Sequence, residues 1–329
     1  MSLRIWCNYE FPPQALALLQ AGLGGVGGVG GHQLVFSSQL HASNLVAGQP
    51  DAELANSDIA FGQPDPDFAM RCPGLRWVHL SSAGYTRYDR DDFKQNFRQR
   101  GAILTNSSWV YADPCAQHVL AMMMALARQL PQSLDTQRAE RNWPAAERRI
   151  NSHLLTGQTA VMLGFGAIAR RLAELLAPFQ MNLAAIRRSK HGDEPIRIVL
   201  ESDLHEVLGT ADHVINLLPD NPATRGFFGA ERLAQMKPSA IFYNIGRGSS
   251  VDQAALGRAV ESGQIAAAYL DVTDLEPLPA DHPLWTTRNC FITPHTAGGL
   301  ANEFDRLVQH FLNNLKRFER GEELADRVV

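Results

Sequence analysis

The sequence predicts an α/β protein of two domains, and three observations support this prediction. The chain has 329 residues, roughly twice the length of an average domain. Apolar residues make up 45% of it, which is enough to bury a sizeable core. From Thr159 onward, short β-rich runs alternate with helix-like stretches. That alternation is typical of a doubly wound parallel sheet.

Composition narrows the class of protein further. The 30 Lys and Arg residues against 34 Asp and Glu give a net charge of −4, so we expect neither nucleic acid nor a membrane surface as a partner. The four cysteines have no C-x-x-C spacing, and no His, Cys and Asp cluster has metal-ligand spacing, so we predict no metal. The N-terminus lacks the apolar core of a signal peptide, and no apolar run is long enough to span a membrane. We therefore expect a cytoplasmic protein.

The first hundred residues show short strands separated by short helices. Pro12 and Pro13 suit the N-terminus of a helix that continues over Gln14–Gln20. The predicted strands in this part are Leu3–Cys7, Leu34–Phe36, Asp58–Phe61, Trp77–Leu80 and Ile103–Asn106.

A glycine-rich stretch at residues 22–31 contains G-x-G-x-x-G twice, at Gly22–Gly27 and Gly25–Gly30. A dinucleotide-binding glycine motif follows a strand and opens a helix, whereas this stretch follows a helix. We interpret it as a surface loop.

A further helix is predicted from about Asp113 to Gln129, with Asp113 as its N-cap and Pro114 at its first position. The helix is apolar nearly all round, which predicts that it is buried and that Met122–Met124 pack in the core.

The second half of the chain carries the alternating pattern. The predicted strands are Ala160–Leu163, Leu183–Ile186, His213–Leu218, Ala240–Ile245, Ala266–Leu270 and Cys290–Thr293. The predicted helices are Ile168–Ala177, Leu204–Leu208, Ala230–Met236, Asp252–Ser262 and a final amphipathic helix, Ala301–Arg320.

The motif Gly164-Phe165-Gly166-Ala167-Ile168-Ala169 stands in the context that the earlier glycine stretch lacks, because it follows an apolar strand and leads into a helix. The first glycine makes the tight turn, and the second lets the backbone approach a pyrophosphate at the helix N-terminus. We predict a dinucleotide site that includes Gly164, Gly166, Ala167 and Ile168. The alternative is a tight strand–helix turn in another α/β protein.

Cofactor choice is indicated by the end of the next strand. Sites for NAD usually place Asp or Glu there to bind the ribose 2′-hydroxyl, but this chain has Arg187 and Arg188. Guanidinium groups match the charge and geometry of a phosphate. We therefore predict a preference for NADP(H), with NAD(H) still possible. Two solvated arginines in a loop are the alternative.

Three later strands end near residues that can do chemistry. Arg247, Asp271 and His295 are spaced by 24 residues each, the length of one strand–crossover–strand unit. Ligands bind at the carboxyl ends of parallel strands, so these side chains are predicted to converge. Glu276 follows Asp271 by five residues.

The chemistry of these side chains predicts a hydride-transfer site. Arg247 can hold a carboxylate through two hydrogen bonds, and His295 can exchange a proton with an oxygen. Glu276 can orient the imidazole and stabilise its cation. We expect Asp271 to bind the nicotinamide amide. Together these roles predict reduction of a 2-keto acid.

These motifs resemble those of the D-isomer-specific 2-hydroxyacid dehydrogenases, most closely the NADPH-dependent glyoxylate/hydroxypyruvate reductases. The resemblance runs from about Ser81 to the end. It includes the residue 164–169 motif, Asn244–Gly248, Leu270–Val272, Glu276–Pro279 and Thr293–His295 with Gly298. It implies that Arg247, Glu276 and His295 are catalytic.

The resemblance also implies the domain organisation. A Rossmann cofactor domain at residues 103–298 would be inserted in a smaller flavodoxin-like substrate domain, residues 1–102 with 299–329. Ala83 and Gly84 would bind the substrate carboxylate through their backbone. Pro219, Ile245, Gly246 and Gly298 would join the cofactor site. Residues 129–153 would form a homodimer contact.

The function expected from this reasoning is an NADP(H)-dependent interconversion of a small 2-keto acid, such as glyoxylate or hydroxypyruvate, with its D-2-hydroxy acid. The alternative is a catalytically silent NAD(P)-sensing module of the same fold, against which the presence of Arg247, Glu276 and His295 argues.

Overall fold

The computed structural model of the chain describes residues 2–24, 31–43, 46, 48–190, 192 and 194–329. Residues 22–24 of the glycine stretch belong to the first helix, Pro13–Gly24, so the interpretation of these residues as part of a surface loop was wrong. Residues 25–30 lie outside the described residues, and for them the loop stays a prediction. The chain divides into two compact units, Met1–Tyr111 with Leu300–Val329 and Ala112–Gly299. Among the described residues, no helix is both long and apolar enough to cross a membrane.

The first unit contains a five-stranded parallel sheet in the order β2-β1-β3-β4-β5. This is the flavodoxin-like strand order. The strands are β1 (Arg4–Tyr9), β2 (Gln33–His41), β3 (Ile59–Gly62), β4 (Trp77–Leu80) and β5 (Ile103–Thr105). The sequence-based boundary placed residues 103–105 in the cofactor domain, whereas the structure pairs β5 with β4.

Helices cover both faces of this sheet because alternate residues of a strand point to opposite faces. They are α1 (Pro13–Gly24), α2 (Ala52–Ala55), α3 (Pro66–Met70), α4 (Asp91–Gln99) and α12 (Glu303–Arg320). On one face Phe61 stacks on Phe311 of α12, with ring centroids 4.3 Å apart. On the other face Trp6 and Val78 share a core with Phe93 and Phe97 of α4.

The second unit contains a seven-stranded sheet, also entirely parallel, in the order β12-β11-β10-β9-β6-β7-β8. Its strands are β6 (Thr159–Leu163), β7 (Asn182–Arg187), β8 (Arg197–Leu200), β9 (His213–Asn216), β10 (Ile241–Asn244), β11 (Ala267–Leu270) and β12 (Cys290–Ile292). Counted from β6, this is the Rossmann order with one more strand. The order reverses between β6 and β9, where dinucleotides bind in such sheets.

The sequence predicted six of these seven strands. Strand β8 was missed because it has only four residues and lies at the sheet edge, where just Ile198 and Val199 are buried. The helices of this unit are α6 (Leu130–Asp135), α7 (Ala145–Ile150), α8 (Ala167–Leu176), α9 (Leu204–Leu208), α10 (Ala230–Ala234) and α11 (Gln253–Glu261).

Helix α5 (Ser108–Ala127) corrects one prediction. The expected start at Asp113 was wrong, because the helix begins five residues earlier. The Asn106 side chain accepts a hydrogen bond from the Ser108 amide at 3.2 Å and starts the helix there. Pro114 therefore lies inside the helix, and Asp113 binds Arg171 instead of capping it.

The burial of α5 was also only partly predicted. Val119 and Met123 are fully buried, whereas Met124 is 43% exposed. Although α5 has apolar residues on all its faces, the face that carries Met124 is exposed.

Candidate active site

The residue 164–169 motif forms the turn between β6 and α8. Gly164 has φ of +95°, a conformation that glycine adopts without strain, and its amide donates to the Ile186 carbonyl at 3.1 Å. No side chain caps the first amides of α8, and a Cβ on Gly166 would meet open space. This turn therefore has both the room and the backbone donors that a pyrophosphate requires.

Arg187 and Arg188 lie at the carboxyl end of β7, beside this turn. Arg188 is exposed. Nη1 of Arg187 lies 2.9 Å from Oε1 of Glu194 in an ion pair. The predicted phosphate-binding arginine is therefore already paired with a carboxylate of this chain.

Arg247 follows β10 and is flanked by two glycines that the packing requires. A Cβ on Gly246 would lie 2.7 Å from the Leu218 carbonyl oxygen, and one on Gly248 would lie 1.9 Å from the Thr273 carbonyl carbon. Both contacts are too short for any side chain. The loop therefore packs tightly against the loops after β9 and β11.

Buried side chains hold the backbone of Arg247 in place. Its carbonyl accepts hydrogen bonds from Asn244 Nδ2 at 3.1 Å and from Ser250 Oγ at 2.6 Å. Asn216 in turn donates to both of those side chains, to Asn244 Oδ1 and Ser250 Oγ. Burial lowers the pKa of the guanidinium, and the charges of Glu276 and Asp220 oppose that shift. A guanidinium stays protonated at neutral pH even so.

Glu276 and His295 form the central pair of the site. His295 Nδ1 lies 2.7 Å from Glu276 Oε2, and Glu276 Oε1 accepts a hydrogen bond from the Thr273 amide at 3.0 Å. Burial alone would raise the pKa of Glu276, but the bonds from His295 and Thr273 and the charge of Arg247 lower it overall. Glu276 is therefore a carboxylate at neutral pH.

Asp271 organises the loop that carries His295. Its buried carboxylate accepts hydrogen bonds from the amides of Thr296 and Ala297 at 2.9 and 3.0 Å. Its carbonyl accepts the His295 amide at 2.8 Å. His295 has φ of +53°, a left-handed conformation that costs energy for a side chain with a Cβ. The Asp271 bonds hold it there.

A chain of hydrogen bonds reaches this carboxylate from α5. Thr293 Oγ1 donates to Asp271 Oδ1 at 2.6 Å, because a carboxylate only accepts. Its own hydroxyl oxygen must then accept from Tyr269, whose oxygen lies 2.5 Å away. The Tyr269 oxygen is left to accept from His118 Nε2, its other partner. This order requires a proton on Nε2 of His118.

The structure brings most of the predicted site residues to the carboxyl ends of the strands in the seven-stranded sheet. Strands β10, β11 and β12 are neighbours, so Arg247, Asp271 and His295 follow adjacent strand ends. The predicted cofactor residues of the second unit also lie at the carboxyl ends of the strands. Arg187 is the last residue of β7. The others lie in loops or at the start of α8: Gly164, Gly166, Ala167, Ile168, Arg188, Pro219, Ile245, Gly246 and Gly298.

Ala83 and Gly84 belong to the first unit, in the loop after β4. Ser82 Oγ donates to the Gly84 carbonyl at 2.6 Å, and Asn106 Nδ2 donates to the Ala83 carbonyl at 2.7 Å. Gln63 Nε2 donates to Ser82 Oγ at 2.9 Å. Side chains of the first unit therefore hold the shape of this loop.

Sequence reasoning missed Tyr269, Thr293 and Glu194. Tyr269 carried a signal, since a tyrosine inside an apolar strand needs a partner for its hydroxyl. Glu194 carried none, because its contact with Arg187 depends on how the loop after β7 folds back.

The fold, and the residues at the carboxyl ends of the strands in this sheet, are those of a nicotinamide-dependent dehydrogenase. Residues 120–297 match the sequence model described as "D-isomer specific 2-hydroxyacid dehydrogenase, NAD binding domain". The chain belongs to the D-isomer-specific 2-hydroxyacid dehydrogenase family and is an oxidoreductase.

Individual members of this family are similar to the chain in sequence and in structure. A glyoxylate reductase of Korarchaeum cryptofilum is 31% identical over 78% of this chain and 77% of its own length. A glyoxylate/hydroxypyruvate reductase B of Pectobacterium atrosepticum is 33% identical over 71% and 72%. A D-isomer specific 2-hydroxyacid dehydrogenase of Xanthobacter autotrophicus, solved with NADPH and MES, is 27% identical. Its TM-score is 0.80, with 100% of this chain and 98% of that chain covered.

Proposed function

We propose that the protein is an NADP(H)-dependent reductase of small 2-keto acids, with glyoxylate or hydroxypyruvate as substrate and a D-2-hydroxy acid as product. The observation that carries this proposal is the His295–Glu276 contact of 2.7 Å within range of the Arg247 charge. The names of the two reductase relatives support the substrate class.

In the proposed mechanism Arg247 binds the substrate carboxylate and polarises the neighbouring carbonyl. Glu276 occupies Nδ1 of His295, which leaves Nε2 to exchange the proton. A dihydronicotinamide held by the cofactor site would supply the hydride to the keto carbon. Nε2 gives its proton to the carbonyl oxygen, and the neutral ring then regains a proton from solvent. Glu276 stabilises the cationic ring before that transfer.

The proposed cofactor site starts at the turn before α8. Gly164, Gly166, Ala167 and Ile168 would bind the pyrophosphate. Further residues at the carboxyl ends of the strands would line the site: Pro219, Ile245, Gly246 and Gly298. Asp271 would bind the nicotinamide amide, since its Oδ2 accepts only the Ala297 amide among the bonds described.

We propose that NADP(H) is preferred over NAD(H), through Arg187 and Arg188. The NADPH complex of the Xanthobacter relative supports this preference. The other unit, Met1–Tyr111 with Leu300–Val329, would form the substrate domain, and Ala83 and Gly84 would bind the carboxylate.

The test is a panel of 2-keto acids with NADPH and with NADH, followed by the loss of nicotinamide absorbance. We expect the highest kcat/KM with glyoxylate or hydroxypyruvate and NADPH, and a D-configured product from hydroxypyruvate. Cofactor binding without turnover on any member of the panel would contradict the proposal and favour a silent binding module.

We also propose a homodimer in the cytoplasm. Residues 130–154 expose large apolar side chains, including Trp143 at 92% and Ile150 at 79%. Such a cluster indicates a surface that another chain covers. Sedimentation of the wild type and of Trp143→Asp tests the dimer, and a monomeric wild type would contradict it.

The four free cysteines support the proposed cytoplasmic location, because a reducing compartment keeps thiols free.

A further inference from the structure

A buried carboxylate lies next to the arginine that is proposed to select the cofactor. Glu194 is in the loop after β7, and its side chain is only 4% exposed. Its Oε1 is 2.9 Å from Nη1 of Arg187, and its Oε2 accepts the Gly192 amide at 2.8 Å. Both carboxylate oxygens therefore have partners, and the charge is held in place.

The position of Arg187 makes this contact relevant to the cofactor. Arg187 is the last residue of β7, and the residue before it accepts the Gly164 amide of the pyrophosphate turn. In a sheet of this kind, the residue at the carboxyl end of the second strand is the one that meets the 2′ position of the adenosine ribose. Glu194 forms its ion pair directly with that residue, Arg187.

The Glu194 carboxylate and a cofactor 2′-phosphate would both bind the guanidinium of Arg187. A guanidinium offers five N–H donors, and Glu194 already takes one of them at Nη1. A 2′-phosphate carries more than one negative charge and would bind the same guanidinium. Two anions on one guanidinium repel each other, and burial keeps solvent from screening the carboxylate. A 2′-hydroxyl has no such conflict.

We propose that Glu194 is a specificity-determining residue whose carboxylate competes with the cofactor 2′-phosphate for Arg187. It lowers the preference for NADP(H) below what Arg187 and Arg188 alone would produce, and leaves NAD(H) usable. This inference rests on the proposed function, specifically on the binding of the cofactor 2′-phosphate by Arg187.

The test is Glu194→Gln, which keeps the shape and one of the two hydrogen-bonding oxygens but removes the charge. We expect the ratio of kcat/KM for NADPH to that for NADH to rise about three- to tenfold, through a lower KM for NADPH. The kinetics with NADH should stay within about twofold, which also shows that the variant folds. Glu201→Gln, at an exposed carboxylate after β8, is the matched control and should change neither.

Direct binding separates the phosphate effect from catalysis. Adenosine 2′,5′-bisphosphate should bind Glu194→Gln about three- to tenfold more tightly than wild type, and 5′-AMP equally well. An unchanged or weaker affinity for the bisphosphate would overturn the inference, since a weaker one would mean that Glu194 orients Arg187 for the phosphate.

Arg187→Gln distinguishes failure of this inference from failure of the proposed cofactor choice. If Arg187→Gln lowers the NADPH to NADH ratio and Glu194→Gln leaves it unchanged, only the role of Glu194 is wrong. If Arg187→Gln leaves the ratio unchanged, Arg187 does not read the 2′ position and both proposals fail.

Discussion

His295 Nδ1 and Glu276 Oε2 lie 2.7 Å apart, although 19 residues separate them in the chain. The contact joins the loops that follow two adjacent strands, β11 and β12. It fixes the orientation of the imidazole and leaves Nε2 as the nitrogen with no bond to Glu276. A carboxylate with a lowered pKa keeps its charge beside the ring throughout the neutral range.

Replacing His295 tests the proposed proton transfer. His295→Asn should lower kcat by about 10²–10⁴, because a positioned acid–base group contributes that much. The KM for the cofactor should change little. His205→Asn, at an exposed histidine of the same unit, should behave as wild type. Turnover of His295→Asn close to that of wild type would rule out the role.

Arg247→Lys tests the need for a forked cation. Lysine keeps the positive charge but cannot make two parallel hydrogen bonds to a carboxylate. We expect a higher KM for the keto acid and a loss of about 10²–10³ in kcat/KM. The exposed Arg258→Lys on α11 is the control. Steady-state kinetics with glyoxylate measure both, and an unaffected Arg247→Lys would remove Arg247 from the substrate site.

Tyr269→Phe breaks the chain of hydrogen bonds that ends at Asp271. It leaves His118 and Thr293 without their shared partner and loosens the loop that carries His295. We expect kcat to fall about three- to tenfold, with a loss of roughly 1–3 kcal/mol of unfolding free energy from the buried polar groups. The KM for the cofactor should stay within twofold.

Tyr243→Phe is the matched control for this variant. Tyr243 is an equally buried tyrosine, but its hydroxyl lies 3.0 Å from Nδ1 of His213 and takes no part in the chain of hydrogen bonds to Asp271. It should lose similar stability and keep its kcat. Equal losses of kcat in the two variants would show that Tyr269 acts through stability alone.

Stability should fall in mild acid because of His213. Burial lowers the pKa of His213 to about 4, with the charge of Asp212 opposing the shift and that of Lys237 adding to it. The unfolded chain therefore binds a proton at higher pH than the folded protein does, so stability decreases as the pH falls from about 6.5 towards 4.

This single group should cost about 2 kcal/mol between pH 7 and pH 5. Urea unfolding at both values measures the loss. His213→Asn should show a smaller difference between the two pH values than wild type, whereas the exposed His205→Asn should match wild type. An identical pH dependence in wild type and His213→Asn would contradict the assignment.

The prediction of the fold from the sequence succeeded where the signal was local. Alternation of apolar strands and helices identified the parallel sheet of the second unit, and the context of Gly164–Ala169 identified the turn between β6 and α8. The start of α5 was misjudged because Asp113 and Pro114 imitate a helix N-terminus. Asn106, which starts the helix, is recognisable only from its bond to Ser108.

The sequence by itself determined most of the order of strands and helices, the family motifs and the candidates Arg247, Glu276 and His295, because each depends on residue types at short spacing. Only the tertiary structure decided which polar groups meet. Arg187 with Glu194 and Tyr269 with Thr293 are examples. Such contacts depend on strand register and on how loops fold back. Burial then sets their strength, and no local pattern encodes it.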